Sequence, residues 1–383
     1  MHDLVLKNGH VIDSGQSINR IADVAFANGK IAAVGEGLSG RETVDCSGSI
    51  VSPGLIDLHT HVYWGGSALG VDPVAYAKST AVTTLVDTGS AGPGNFDGFR
   101  AQIIDRCPVR ILAYLHVSIA GVFSFSKEVM VGESEDIRLL SPRETVRVAK
   151  ENPDIIIGIK IRLGRHASGD QGMAPFEYAL DVAEETGLPI MAHIDEAPPT
   201  YEQICERLRP GDVLTHAFRP FPNSPALPGG GVRGAVLDAR KRGVVFDIGH
   251  GMGSFGWATA RAMLEAGFAP DVISSDVHKL CINGPAVDQL TTMSKFLHLG
   301  MKLEDVITAS TMAPAKALCR PDIASFAPGA VGDASVFSIE DGRFPLTDAV
   351  GETEYAAQRL SARALVLAGK VFGANEQTAA QRG

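Results

Sequence analysis

Gly54-Leu55-Ile56-Asp57-Leu58-His59-Thr60-His61 is an apolar run that ends on two histidines. Side chains two apart on a strand share a face, so both imidazoles can turn toward one metal ion. An HxH pair alone is common in loops, and what gives this one weight lies further along the chain. Ile155 to Lys160, Ile190 to His193, Val213 to His216 and Val272 to Asp276 each read as an apolar strand closing on a polar residue, and Val244 to Asp247 reads as another strand. Helical segments separate them. One spans Phe176 to Glu185 and stops at Gly187 and Pro189; another opens at Thr200-Tyr201-Glu202-Gln203 with a capping box, and Ser141-Pro142-Arg143-Glu144 carries the same signal. Strands alternating with helices from Ile50 to about Cys319 predict an α/β fold, a (β/α)8 TIM-like barrel. In such a barrel the C-terminal strand ends converge on one face, which makes His59, His61, His193, His216 and Asp276 neighbours.

Outside that span the pattern changes. Leu4 to Leu6, Val24 to Phe26 and Ile31 to Val34 are short β-rich runs, with Asn8-Gly9 and Asn28-Gly29 as turn signals between them. Similar runs return at Ala334 to Phe337 and Ala364 to Leu367. The reading is a small β-sandwich domain built from both chain ends, 1–52 and 320–383, beside a metal-hydrolase barrel over 53–319, with Asn375 to Gly383 polar and loose.

The 383 residues suffice for a barrel of roughly 250 residues and an accessory domain. A net charge of −10 without a Lys/Arg run argues against a nucleic-acid partner. Cys46, Cys107, Cys205, Cys281 and Cys319 form no CxxC pair, which disfavours a disulfide scaffold or thiolate zinc site and fits a reducing cytoplasm. The first residues lack the apolar run of a signal peptide, and no stretch reaches membrane-spanning length. The expected partner is a small molecule, not a membrane, and a homo-oligomer stays open.

Lys160 is the least expected residue, because an unpaired ammonium in an apolar strand is costly. It either pairs with a buried acid, reaches the barrel mouth, or serves chemistry. Asp276 could cap a following helix, yet a carboxylate there can also bind metal and relay protons. Arg162, two residues beyond Lys160, projects on the same side and can stabilise an oxyanion or hold a substrate carboxylate. His250, Arg233 beside Gly229-Gly230-Gly231, and His278 are candidate substrate contacts, with His116, Tyr63 and Trp64 behind them.

His59-x-His61, Lys160, His193, His216 and Asp276, preceded by Val51-Ser52-Pro53-Gly54-Leu55-Ile56-Asp57, resemble the amidohydrolase superfamily over the whole chain. Gly158-Ile159-Lys160-Ile161-Arg162 and Ser275-Asp276-Val277-His278 resemble its deacetylase branch, related to dihydroorotases and acting on small acetylated acids. The resemblance implies that CO2 carboxylates Lys160 and that the carbamate bridges two divalent cations, with zinc the expected metal. His59 and His61 would hold one, His193 and His216 the other, and Asp276 would complete the first site. Two cations against carbamate, Asp276 and a bridging hydroxide leave about +1 by formal count, which suits an anionic tetrahedral intermediate. The implied reaction is hydrolysis of the acyl ester or amide of a small acetylated hydroxy or amino acid by that hydroxide. The alternatives are a cyclic-amide hydrolase of dihydroorotase or hydantoinase type and a non-catalytic binding or scaffold protein; the intact ligand set weighs against the latter.

Overall fold

The structure is a computed structural model, and residues 1–372 are described; the expectation for Asn375 to Gly383 lies outside them. Seven parallel strands pair in chain order: Leu55–Thr60, Val82–Thr88, Arg110–His116, Ile156–Leu163, Ile190–Ile194, Val213–Leu214 and Val245–Phe246. Both faces of these strands are covered, which is why they read as nearly continuous apolar runs. The helix Ala174–Thr186 shows the reciprocal pattern. Phe176, Ala179, Val182 and Ala183 recur at helical spacing and are buried, and Gly187 ends the helix in the left-handed conformation.

The eighth stave, Val272 to Val277, is joined by single bridges, Asp247 with Val272 and Thr60 with Val277, instead of a ladder. It still closes the barrel: His61 N–H donates to Val277 O (3.0 Å) and Ile248 N–H to Val272 O (3.0 Å). Two of its amides are spent elsewhere, Ser275 N–H on the Asp57 carboxylate (2.9 Å) and Ile273 N–H on Ala309 O (2.9 Å), so the strand expected over Val272 to Asp276 is irregular.

The terminal strands form one eight-stranded sheet. Lys370–Phe372, Thr353–Leu367, Ala334–Thr347, Ile50–Pro53, His2–Asp13, Ile18–Ala27 and Lys30–Gly35 follow one another, and Gly40–Asp45 adds to His2–Asp13. Leu6, Val24, Phe26, Val51, Val336 and Val366 share a buried cluster, so both chain ends contribute to its core. Asn28-Gly29 makes the expected turn. Asn8-Gly9 does not: it is a bulge inside the continuous strand His2–Asp13, where the pairing register shifts between Leu6 and Gly9. Asn8 takes φ 59° and its N–H is satisfied by Asp23 Oδ1 (2.9 Å), which lets one strand absorb the irregularity.

The capping box at Thr200 forms in full. The one expected at Ser141 does not. The helix Pro142–Glu151 begins there, but the Ser141 hydroxyl caps nothing, and Glu144 turns to Arg147 (3.0 Å). Among the described residues no helix is long and apolar enough to cross a membrane.

Candidate metal centre

His59 and His61 close the first barrel strand, Lys160 lies in the fourth, His193 in the fifth, His216 follows the sixth, and Asp276 sits in the eighth stave. All six line one cavity of about 260 Å³ at the C-terminal ends of the strands, together with Arg162 and His278. His216 and Asp276 have φ of 64° and 48°. Such left-handed backbone is disfavoured for residues with a Cβ and persists where surrounding structure imposes it, often at functional sites. The facing chain makes room with glycine: a Cβ on Gly251 would lie 2.2 Å from Asp276 Oδ2, and one on Gly249 2.9 Å from His59 Nδ1 and 3.0 Å from His216 Nδ1.

Hydrogen bonds fix which ring nitrogen of each histidine is free. Gly249 O can only accept, so His216 carries its proton on Nδ1 (2.7 Å) and offers Nε2 as a lone pair. Thr215 donates its hydroxyl to Asp247 (2.7 Å) and therefore accepts from His59 Nδ1 (2.8 Å), again freeing Nε2. His193 sets Nε2 against Asp195 Oδ2 (3.4 Å), which leaves Nδ1. His61 Nδ1 meets Ser90 Oγ at 2.8 Å. Burial is the first cause that depresses all four imidazoles, His61 down to about 3, so they are neutral at neutral pH and able to serve as ligands.

Asp276 Oδ1 stands 3.3 Å from both His59 Nε2 and His61 Nε2. It is buried and has no hydrogen-bond donor. Burial raises the Asp276 carboxyl to about 6, against the pull of His278 and Lys160. Two lone-pair nitrogens facing an orphaned carboxylate oxygen, all within 4.8 Å of one another, are an arrangement that a divalent cation satisfies and the protein alone does not. Lys160 Nζ lies 3.5 Å from His59 Nε2 in a fully buried position, and that burial draws its amine down to about 7.

The other expected residues divide. Arg162 lines the cavity but spends Nη1 on Glu133 (2.9 Å), whose other oxygen faces His116 Nε2 (3.2 Å). Burial raises the Glu133 carboxyl, yet Arg162 and His116 together hold it below its ordinary value. His278 accepts from Leu280 N–H on Nδ1 (3.2 Å), so its proton is on Nε2. His250 lies outside the lining: it stacks on Phe255, and its Nε2 meets Lys295 Nζ at 2.5 Å. Arg233 is drawn away into Glu202 (2.7 Å) and Ser224 O at the start of the helix Gly234–Arg242. Tyr63 stacks on Phe99, and Trp64 is exposed.

Sequence reasoning missed Glu133, Arg219, Thr215 and Asp247. Asp247 carried a local signal, since it closes the apolar run from Val244 as Asp276 closes its own; Thr215 did not, because the imidazole it orients belongs to the distant His59 and not to its neighbour His216. Thr215→Val is expected to lower metal affinity about 10- to 100-fold, because His59 Nδ1 loses the acceptor that orients it. Competition with a chromogenic chelator measures this; unchanged affinity assigns Thr215 to packing.

No family model matches the chain. It is 33% identical over 352 residues to a deacetylase of Agrobacterium fabrum, covering 91% of this chain and 86% of that protein. A solved structure titled as a dihydroorotase superposes with TM-score 0.88 at 32% identity, over 96% of this chain and 97% of the other. One titled as an adenine deaminase gives TM-score 0.90 at 28% identity, over 97% and 100%. With a barrel closed by an irregular eighth stave, a sheet shared by both ends and this ligand cluster, the chain belongs to the amidohydrolase superfamily, in the deacetylase branch related to dihydroorotases.

Proposed function

We propose that this protein hydrolyses the acyl ester or amide bond of a small acetylated hydroxy or amino acid. The observation that carries the reading is the convergence of neutral imidazole lone pairs and the orphaned Asp276 Oδ1 beside Lys160. His59, His61 and Asp276 would hold one divalent cation, and His193 and His216 a second, with zinc the metal best matched to this nitrogen-rich set. Cations held there supply Lewis acidity for the scissile carbonyl. Lys160, whose amine burial draws down to about 7, would take up CO2 as a carbamate and supply one negative charge, shared by two oxygens, to the metals.

The chain's own residues divide the remaining work. Asp276 accepts a proton from the attacking water as oxygen bonds to the acyl carbon. It returns that proton to the leaving oxygen or nitrogen when the acyl bond breaks, releasing acetate and the free acid. His278, neutral and protonated on Nε2, is a donor for the developing oxyanion. Arg162, paired with Glu133, forms one wall of the cavity. Leu69, Val122, Phe125, Met130 and Met252 give the cavity its apolar surface, which favours a small organic acid over a polymer. All five thiols are free, and we assign the enzyme to a reducing cytoplasm.

The likeness to the structure titled as a dihydroorotase supports one second reading, opening of a cyclic amide by the same attack. A panel of acetylated hydroxy acids, acetylated D- and L-amino acids and cyclic ureides, assayed with zinc-loaded protein, tests both. Turnover of acyl acids with release of acetate is expected. Ring opening without acyl hydrolysis would install the second reading, and no turnover of either class sinks both.

A further inference from the structure

Two arginines line the cavity, and their situations differ. Arg162 is already neutralised. Its Nη1 meets Glu133 at 2.9 Å, Glu133 also holds His116, and all three are buried. A substrate carboxylate placed there would face a buried like charge, which is unfavourable at low dielectric.

Arg219 has no such partner. It follows His216 by one turn, with its N–H donating to His216 O (3.2 Å), and its Nη1 donates to Ile194 O (2.8 Å) beside His193. It thereby spans the ends of the fifth and sixth barrel strands, where the second pair of ligating imidazoles sits. Among the described residues no carboxylate oxygen lies within 4.0 Å of its guanidinium. Its Nε is buried and without an acceptor. A guanidinium carries five N–H donors in a planar fork suited to a carboxylate, and buried donors left unpaired are rare in folded proteins. Arg219 lines the same cavity as Asp276 and Lys160.

We propose that Arg219, and not Arg162, receives the carboxylate of the substrate, making it the residue that selects acylated acids over neutral acyl compounds. The proposal rests on the deacylase reading for the identity of the substrate, but not for the existence of the anion subsite. Arg219 also sets orientation: with the carboxylate on the His193 and His216 side, the acyl group extends toward His59, His61 and Asp276.

The test needs no turnover. Levulinate is N-acetylglycine with a methylene in place of the scissile nitrogen, and methyl propyl ketone is its neutral counterpart; neither can be hydrolysed. Both are titrated calorimetrically into zinc-loaded wild type, Arg219→Gln and Arg219→Lys, with metal content measured for each protein. Wild type is expected to hold levulinate at least tenfold tighter than the ketone, the scale of one charge-assisted hydrogen bond. Arg219→Gln should erase that preference, and Arg219→Lys should keep only a few-fold remnant, because a point charge replaces the fork. Ketone affinity and metal content should hold. A preference that survives Arg219→Gln places the carboxylate elsewhere and overturns the proposal. So does an equal loss for both ligands, which makes Arg219 a wall residue acting through Ile194, and so does a wild type without preference. Failure to hydrolyse acyl acids sinks the deacylase reading alone, since the binding comparison stands without it.

Discussion

Lys160→Ala is expected to lower kcat about a thousandfold, a loss of roughly 4 kcal/mol in transition-state stabilisation. The side chain is fully buried, its amine is drawn down to about 7, and it stands 3.5 Å from His59 Nε2. A neutral amine is the form that reacts with CO2, so burial, a liability for an ammonium, becomes the condition for carbamate formation. Under the proposed carbamate, removing the lysine would remove both carbamate oxygens and leave His193 and His216 as an incomplete site. Metal content should fall toward one ion per chain in parallel with kcat. Lys160→Arg should be as damaging, because a guanidinium keeps its proton and takes up no CO2. Metal analysis and kcat, measured side by side in bicarbonate-containing buffer, check this. Two metals and near-normal turnover in Lys160→Ala would assign the lysine to structure.

Much of this centre was legible because barrel geometry converts strand ends into neighbours. His59 and His61 declare themselves by their spacing, and His193, His216 and Asp276 by closing apolar runs. What stayed hidden depends on contacts between loops. Nothing near Glu133 says that it will meet Arg162 across the fold, yet that ion pair changes what Arg162 can do. Arg219 looks like any loop arginine until the absence of a partner is visible. His250 was misplaced for a related reason: its position after a strand suggested the mouth, but Lys295 from the helix Gln289–His298 holds its ring inside the barrel wall. The serine of Ser141-Pro142-Arg143-Glu144 marked a helix start correctly and its bonding incorrectly, since sequence spacing does not choose between Glu144 capping and Glu144 pairing with Arg147.

Asp276→Asn is expected to cost 10²- to 10⁴-fold in kcat, by about the amount general acid–base catalysis contributes. The substitution keeps the shape and removes both the charge and the group that accepts and returns the proton. Metal content should fall less than kcat, because His59 and His61 remain. Asp276→Glu offers no relief: the side chain is buried and packed so closely on Gly251 that a Cβ at position 251 would lie 2.2 Å from Oδ2. Single-turnover and steady-state rates on an acyl acid, with metal measured on the same samples, separate proton transfer from ligation. A kcat near wild type with full metal would remove Asp276 from the chemistry.

The sheet shared by the two chain ends has a consequence for biosynthesis. Ile50–Pro53 hydrogen-bonds on one side to Ala334–Thr347, and Leu55 N–H, the entry to the barrel, donates to Ser335 Oγ across 280 residues of sequence. On a ribosome adding about 5–20 residues each second, that partner is missing for roughly 14–56 s after Leu55 is made. The nascent chain must therefore carry an open, apolar β edge while the whole barrel is being synthesised, the interval in which edge-to-edge pairing with a neighbouring chain is most favourable. Cellular yield should thus respond to translation rate and chaperone supply more than the stability of the finished fold alone suggests.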